Sequence, residues 1–281
     1  MTRRLPRAWR RFTTNPGSLV GGFILIILIL GALLAPYLAP FDWNEANVGP
    51  VLSPPSSTYL FGTDLHGRDI FSRVLYGGRL SLTVGIATVL FSAVVGFIYG
   101  ITIGFLGGRV DAVGSRFIDV LLGFPPIIKA ILVVAILGVG LTNVVIAAGI
   151  AGFPRFARVV RSAVLAIKEQ PYVEAARALG ARDFAIMWKH LVPNILPTVI
   201  VLASLDLGGA IISTASLSFI GLGAQPPTPE WGAMLNQGRE YMRYAPWMMI
   251  FPGLALFLAV MSVNLLGDRI SQALDPRRAN Q

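Results

Sequence analysis

The chain has 281 residues, of which 54% are hydrophobic and only 13% charged, against about 25% charged in an ordinary soluble domain. Its formal charge is +9, from 23 Lys and Arg against 14 Asp and Glu, with no cysteine and two histidines, His66 and His190. A disulfide framework and a thiolate metal site are excluded, and two histidines so far apart argue against a histidine-rich metal site.

Apolar runs long enough to cross a bilayer, about 20 residues each, succeed one another along the chain. The first, 19–38, follows Arg3, Arg4, Arg7, Arg10 and Arg11. It is longer than the roughly 7–15-residue apolar region of a secretory signal, and Pro36 and Pro40 crowd the plausible cleavage points, so an uncleaved span is expected. In 69–82, Ile70, Phe71, Val74 and Leu75 share one helical face, the pattern of a helix lying at the membrane interface. The second span is 80–105, with no charged residue. Arg109, Asp111 and Arg116 mark a polar turn before a third span, 117–137, interrupted by Lys129. Gly138, Gly140, Thr142 and Asn143 connect to a fourth, whose uncharged part, 144–153, is short for the bilayer. It is expected to continue as a helix whose Arg155, Arg158 and Arg161 reach headgroups or cytosol. The fifth span, 196–220, holds Asp206, and the sixth is 246–266.

Between the last two spans, Thr228-Pro229 reads as an N-cap followed by proline at the first helical position. Trp231, Met234, Leu235 and Tyr241 would share a face of that helix. The two helices outside the membrane either plug the mouth of the bundle or form a docking surface, with Trp231 and Arg239, for an extracytoplasmic binding protein. Trp43 and Trp247 fit an outer aromatic belt and Trp9 and Trp188 an inner one.

With six spans both termini share a side. Seventeen of the basic residues fall on that side and five on the other, with Lys129 inside the third span. The positive-inside rule then places both termini in the cytoplasm. It also accounts for the basic balance without nucleic acid. A phosphate-cradling P-loop needs glycine immediately before lysine, but Lys129, Lys168 and Lys189 follow Ile128, Ile167 and Trp188. HExxH and GxSxG are absent too, so no hydrolase site is visible.

The most informative stretch is Glu169-Gln-Pro-Tyr-Val-Glu-Ala-Ala-Arg-Ala-Leu-Gly180. Pro171 suits a helix start, and Gly180 suits the left-handed residue that ends one. Asp183 could cap a second helix, 184–191, before Pro193 and Pro197 open the fifth span. Ala175, Ala176 and Ala178 leave the first helix thin enough to enter a groove on another protein. An ordinary loop helix is the plain alternative.

Glu174-Ala175-Ala176, three residues, Gly180 and then Pro193 resembles the Glu-Ala-Ala loop of permease subunits of bacterial ABC importers. Where the general pattern has isoleucine and leucine, this sequence has His190 and Val192, and His190-Leu-Val-Pro193-Asn194 is similar to the peptide branch. So are Phe61-Gly-Thr-Asp-Leu-His-Gly-Arg-Asp-Ile-Phe-Ser-Arg73 with Gly78-Arg79-Leu-Ser-Leu82, and Leu217-Ser-Phe-Ile-Gly-Leu-Gly223 with Gln225-Pro-Pro227 and Pro229-Glu-Trp-Gly232. Asn264-Leu-Leu-Gly-Asp268 and Leu274-Asp-Pro-Arg277 resemble that branch's C-terminal signature. The likeness covers nearly the whole chain and is greatest to the C-type permease of the dipeptide/oligopeptide (peptide/nickel) branch.

The resemblance implies an all-α membrane protein with the six transmembrane helices of the type I ABC importer permease fold and a cytoplasmic coupling helix. It implies a bacterial inner-membrane location, a non-enzymatic role, and no cofactor in this chain, with ATP and magnesium on partner subunits. The partners would be a second related permease, two ATPase subunits, an extracytoplasmic substrate-binding protein and membrane lipid. Tyr172, Glu174, Ala175, Ala176, Leu179 and Gly180 would dock on an ATPase subunit. The expected division is 1–78, N-terminus, first helix and external segment; 79–267, permease core; and 268–281, cytoplasmic tail. Dipeptides or oligopeptides are the expected cargo, with glutathione-like peptides and chelated nickel as alternatives in the same branch. An ion-coupled secondary transporter, using Lys129 and Asp206, is the competing class.

Many relatives carry glutamate at Thr214, whereas Lys129 and Asp206 are additions to the branch's pattern. Lys129 lies about 18 Å along the third span and Asp206 about 15 Å along the fifth, at 1.5 Å per residue. Insertion scales charge ~2.5–3.5 kcal/mol for an ionised side chain at a helix centre. Both are therefore expected to face the bundle interior or pathway, as a pair or within one polar cluster, and Thr214 is grouped with them.

Overall fold

The computed structural model describes residues 16–274. The arginines before residue 12, Trp9 and the tail beyond Leu274, with most of the Leu274–Arg277 motif, lie outside the described residues. Those described form helices joined by turns, with no strand beyond one isolated bridge, Thr63–Asp69. In chain order the helices are α1 (Pro16–Leu33), α2 (Ala35–Leu38), α3 (Ile70–Leu106), α4 (Gly108–Leu122), α5 (Pro126–Leu137), α6 (Leu141–Lys168), α7 (Pro171–Ala178), α8 (Asp183–Ile186), α9 (Val192–Phe219), α10 (Trp231–Gly238) and α11 (Trp247–Leu274). By length and composition four helical stretches can cross a membrane: α3, α6, the run from α8 through α9, and α11 up to Arg269. The pair α4 and α5 adds one broken span, and α1 is a shorter apolar helix. All six apolar runs read from the sequence are thus helical.

Two segments depart from expectation. The interfacial helix expected at 69–82 is the first part of α3, which continues unbroken for 37 residues, about 55 Å of helix. Asp69 starts it, its carboxylate accepting from the Ser72 amide at 2.7 Å. No proline or positive-φ glycine interrupts the run until Gly107, at φ +67°, so nothing ends the helix at the boundary that polarity suggested. The third span is likewise not continuous. It breaks at Gly123-Phe124-Pro125 and its halves meet at 97°. Pro125 and Pro126 lack amide hydrogens and bar helical backbone at the residues before them.

The long helices pack through small residues. Gly96, Gly100 and Gly104 form a four-residue stripe on α3 that faces α6. A Cβ on Gly100 would lie 2.9 Å from Cβ of Val160, and one on Gly104 3.0 Å from Cβ of Val164. Lipid tails supply no hydrophobic drive between helices, so close backbone approach of this kind carries the association. The same contact feeds a core of Val89, Ile101, Phe156, Val160, Val164, Ile195 and Val199, which also takes in Val173 of α7 and Ile186 of α8. The short helices at the Pro171 end are therefore bolted to the spans.

At the opposite, Trp231 end, residues 39–69 fold against the bundle. Arg73 is buried and donates to the carbonyls of Trp43 at 3.0 Å and Pro227 at 3.2 Å. Asp64 pairs with Arg68 at 2.7 Å and lies 3.6 Å from Arg73. Arg79 donates to the carbonyls of Ala32 and Leu33, both at 2.6 Å, satisfying two groups that the end of α1 leaves without an intrahelical donor. α10 begins two residues later than the Thr228-Pro229 signal implied, and its cap is Glu230. That carboxylate accepts from the Gly232 and Ala233 amides, each at 3.0 Å, and from Ser81 Oγ at 2.9 Å.

Candidate transport cavity and docking loop

Helices α3, α5, α6 and α9 enclose a cavity of about 260 Å³. Its polar lining is Thr88, Ser92, Lys129, Arg155, Asp206 and Ser213. Thr88 stands midway along α3, ~27 Å from either end, while Arg155 and Asp206 lie ~21 Å and ~20 Å from the Trp231-end termini of α6 and α9. The cavity is thus at mid-depth.

Lys129 and Asp206 both reach this cavity, but the direct pair expected from their depth does not form. Asp206 is taken by Arg155, Nη1 to Oδ1 at 2.6 Å. Lys129, 8% exposed, turns back across the bend and donates Nζ to the Leu121 carbonyl at 2.8 Å. At the break between α4 and α5 the Leu121 carbonyl receives a long bond from the Phe124 amide, 3.4 Å, and the nearest long cation supplies a shorter one. Depth placed the two residues together; the weakly bonded Leu121 carbonyl and the arginine on α6 decided their partners. Thr214, grouped with them, is buried and its hydroxyl donates within α9, to Ala210 at 3.0 Å and Ile211 at 3.1 Å. It does not line the cavity.

The fourth span continues as a helix through Arg155, Arg158 and Arg161, as expected. Each of the three meets a carboxylate on another helix: Asp206 on α9, and Asp119 and Asp111 on α4. The Arg161–Asp111 contact is bidentate, its Nη2 arm at 2.7 Å. Three arginines at a three-residue repeat on one helix were visible in the sequence, as were the aspartates at 111, 119 and 206. The match between them needed the fold.

At the Pro171 end, the loop follows its sequence reading in most respects. Pro171 is the first residue of α7, Gly180 has φ +82°, and the amides of Gly180 and Ala181 bond the carbonyls of Arg177 and Ala176, each at 3.0 Å. This is the paired arrangement that closes a helix on a left-handed glycine. Val173 is fully buried, whereas Tyr172, Glu174, Ala175 and Gly180 are exposed and Ala176 half-buried. Leu179 is 89% exposed, with Phe184 and Trp188 also open. Asp183 does not act as the cap of the second helix: Arg182 precedes the first turn, and Met187–Leu191 winds as a wider π-helical turn running into α9. The His190 ring lies 5.9 Å from that of Tyr172.

Trp231 was a candidate docking residue at the other end. The structure buries it, 2% exposed, with Nε1 donating to the Val74 carbonyl at 3.0 Å. Trp231, Met234 and Leu235 lie on α10 as expected, whereas Tyr241 falls in a 3-10 turn, Arg239–Tyr241, beyond the helix end; the apolar face packs onto α3 and α11 and leaves no indole for a partner. Arg239 is exposed. His66 faces Arg68 at 3.1 Å, and the described residues hold no cluster of three metal-ligating side chains.

Residues 92–280 match the family described as binding-protein-dependent transport system inner membrane component. The chain belongs to this family. Residues 5–55 further match the N-terminal transmembrane domain of oligopeptide transport permease C. The chain is 46% identical over 275 residues to the glutathione transport system permease protein GsiD of Pectobacterium atrosepticum, covering 96% of this chain and 90% of that one. Against the protein of the same name from Escherichia coli O1:K1 / APEC the figures are 45%, 96% and 89%. In fold it is similar to a chain of the inward-facing MetNI methionine ABC transporter, with TM-score 0.58 and 23% identity over 72% of this chain and 96% of that one. A chain from an amino acid ABC transporter crystallised with histidines gives TM-score 0.52 and 18% identity, over 70% and 91%. The chain is therefore a membrane permease with the type I ABC importer fold, and its family is one of transport subunits, not of enzymes.

Proposed function

We propose that this chain is one of two related permease subunits of an ATP-driven importer for small peptides, with glutathione as the first substrate to test. The observation that carries the reading is the 46% identity to a glutathione transport permease over 96% of the chain. The exposed face of α7 supports it. Tyr172, Glu174, Ala175 and Leu179 stand out from a helix whose one inward residue, Val173, is locked into the same core as α3, α6 and α9. Force applied to that helix by an ATPase subunit would reach the spans through packed side chains, which transmit displacement because protein interiors are close-packed. ATP and magnesium then sit on the partner subunits, and both termini and α7 face the cytoplasm.

Dipeptides or longer oligopeptides form the second reading, favoured by the match of residues 5–55 to oligopeptide permease C. The test is affinity purification of the tagged chain from its native membrane, followed by reconstitution with what comes with it. An ATPase chain and a second permease should co-purify, and the vesicles should take up labelled glutathione only with ATP and an added binding protein. Uptake driven by an ion gradient without ATP would refute the importer.

A further inference from the structure

The mid-depth cavity carries an imbalance that the packing of the helices does not resolve. Its titratable lining is two cations, Lys129 and Arg155, and one anion, Asp206. Asp206 is engaged by Arg155 at 2.6 Å, so the Lys129 ammonium has only the neutral Leu121 carbonyl, at 2.8 Å. An ionised lysine held at the depth of a bilayer centre is costly unless a counter-charge or water compensates it. Thr88 supplies a second, independent sign. It is 3% exposed and lines this cavity, and its Oγ1, itself buried, has no hydrogen-bond partner. A buried hydroxyl left unpaired is destabilising, and helical threonines ordinarily avoid this by bonding a carbonyl one turn back, as Thr214 does.

An anion entering this space would meet an uncompensated ammonium, and a turn of the Thr88 side chain about χ1 would bring an unused hydroxyl donor to it. We propose that the cavity binds a carboxylate of the transported peptide during passage, with Lys129 as its counter-charge and Thr88 as hydroxyl donor. The inference rests on the importer reading and specifies which chemical group of the cargo this subunit grips. At about 260 Å³ the space lies just below the ~300–1,000 Å³ of ordinary small-molecule pockets, so it holds one end of a peptide and not the whole. A peptide lacking a free carboxylate gains nothing from Lys129.

The fold also supplies a clean way to close the site. Gly209 lines the same cavity one turn beyond Asp206, and a Cβ built there meets nothing within 4 Å. Gly209→Leu would place its first added carbon in open space and extend the rest of the side chain at the cavity wall. The experiment uses the complete importer with its partner chains in lipid nanodiscs and proteoliposomes. Labelled glutathione and dialanine are the probes, with their carboxyl esters as controls. Lys129→Met and Gly209→Leu should each weaken peptide retention and raise the KM for uptake about tenfold or more, the scale of one charge-assisted hydrogen bond. Lys129→Arg should recover most of the loss, and the esters should be insensitive to the Lys129 substitution. Unchanged KM in both loss variants, with wild-type uptake intact, overturns the cavity site alone. Displacement of the peptide by chloride or inorganic phosphate at equal concentration overturns it as well, by showing a general anion trap. A wild-type importer that moves neither peptide overturns this inference and the importer reading together.

Discussion

Arg155 of α6 and Asp206 of α9 meet at 2.6 Å at the depth where four helices surround the polar cavity. The contact ties the helix that precedes the docking loop to the helix that follows it. Arg155 is 57% exposed in the isolated chain, so the pair lies between the exposed and fully buried cases.

Removing one member should therefore be worse than removing both. Asp206→Leu should lower stability by about 1–2 kcal/mol, above the value of an exposed ion pair and below that of a broken buried one. The double variant Arg155→Met with Asp206→Leu should recover part of that loss, because no charge is left alone. Thermal unfolding of the purified complex in nanodiscs checks this. A double variant less stable than either single one would mean that the pair is not the unit that matters.

The glycine stripe on α3 gives a second prediction. Gly100→Val places atoms where Cβ of Val160 already lies within 2.9 Å of the first added carbon. Overpacking of a tight site costs about 1–3 kcal/mol or more, and here the cost falls on the α3–α6 seam, so assembly yield should drop. Gly209→Ala, one residue type smaller and in open space, is the control and should leave yield unchanged. Equal yields for the two would refute the seam.

The docking loop separates stability from coupling. Val173→Ala removes two buried methyl-sized groups and should cost about 2 kcal/mol of stability. Leu179→Glu changes a side chain that touches little in this chain and should leave its unfolding temperature unchanged. The same substitution should reduce substrate-stimulated ATP hydrolysis by the assembled importer severalfold. Full stimulation in Leu179→Glu would remove that residue from the interface.

Orientation is open to labelling because the chain has no cysteine. Ser57→Cys, in the exposed segment at the Trp231 end, should react with an impermeant maleimide added to intact cells. Ala178→Cys, exposed on α7, should react only after the membrane is opened. The reverse pattern would invert the topology.

Composition and apolar run length were enough to read six helical segments, because a bilayer demands about 20 apolar residues of any helix that crosses it. The docking loop was legible for a different reason: Pro171 and Gly180 constrain backbone angles whatever surrounds them. The break at Gly123-Phe124-Pro125 was also written in the chain, in the two successive prolines, but hydrophobicity alone read through it. What the sequence could not carry was the choice of partners across the bundle. Lys129 turning to Leu121, Asp206 taking Arg155, Thr88 left unpaired and Trp231 turned inward depend on which faces of different helices meet. Those faces are selected by packing at residues such as Gly96, Gly100 and Gly104, far in sequence from the side chains they bring together. Local rules fix where a helix begins and ends; which buried polar groups pair is decided only when packing brings side chains of different helices within hydrogen-bond reach, where the directional part of the interaction is gained.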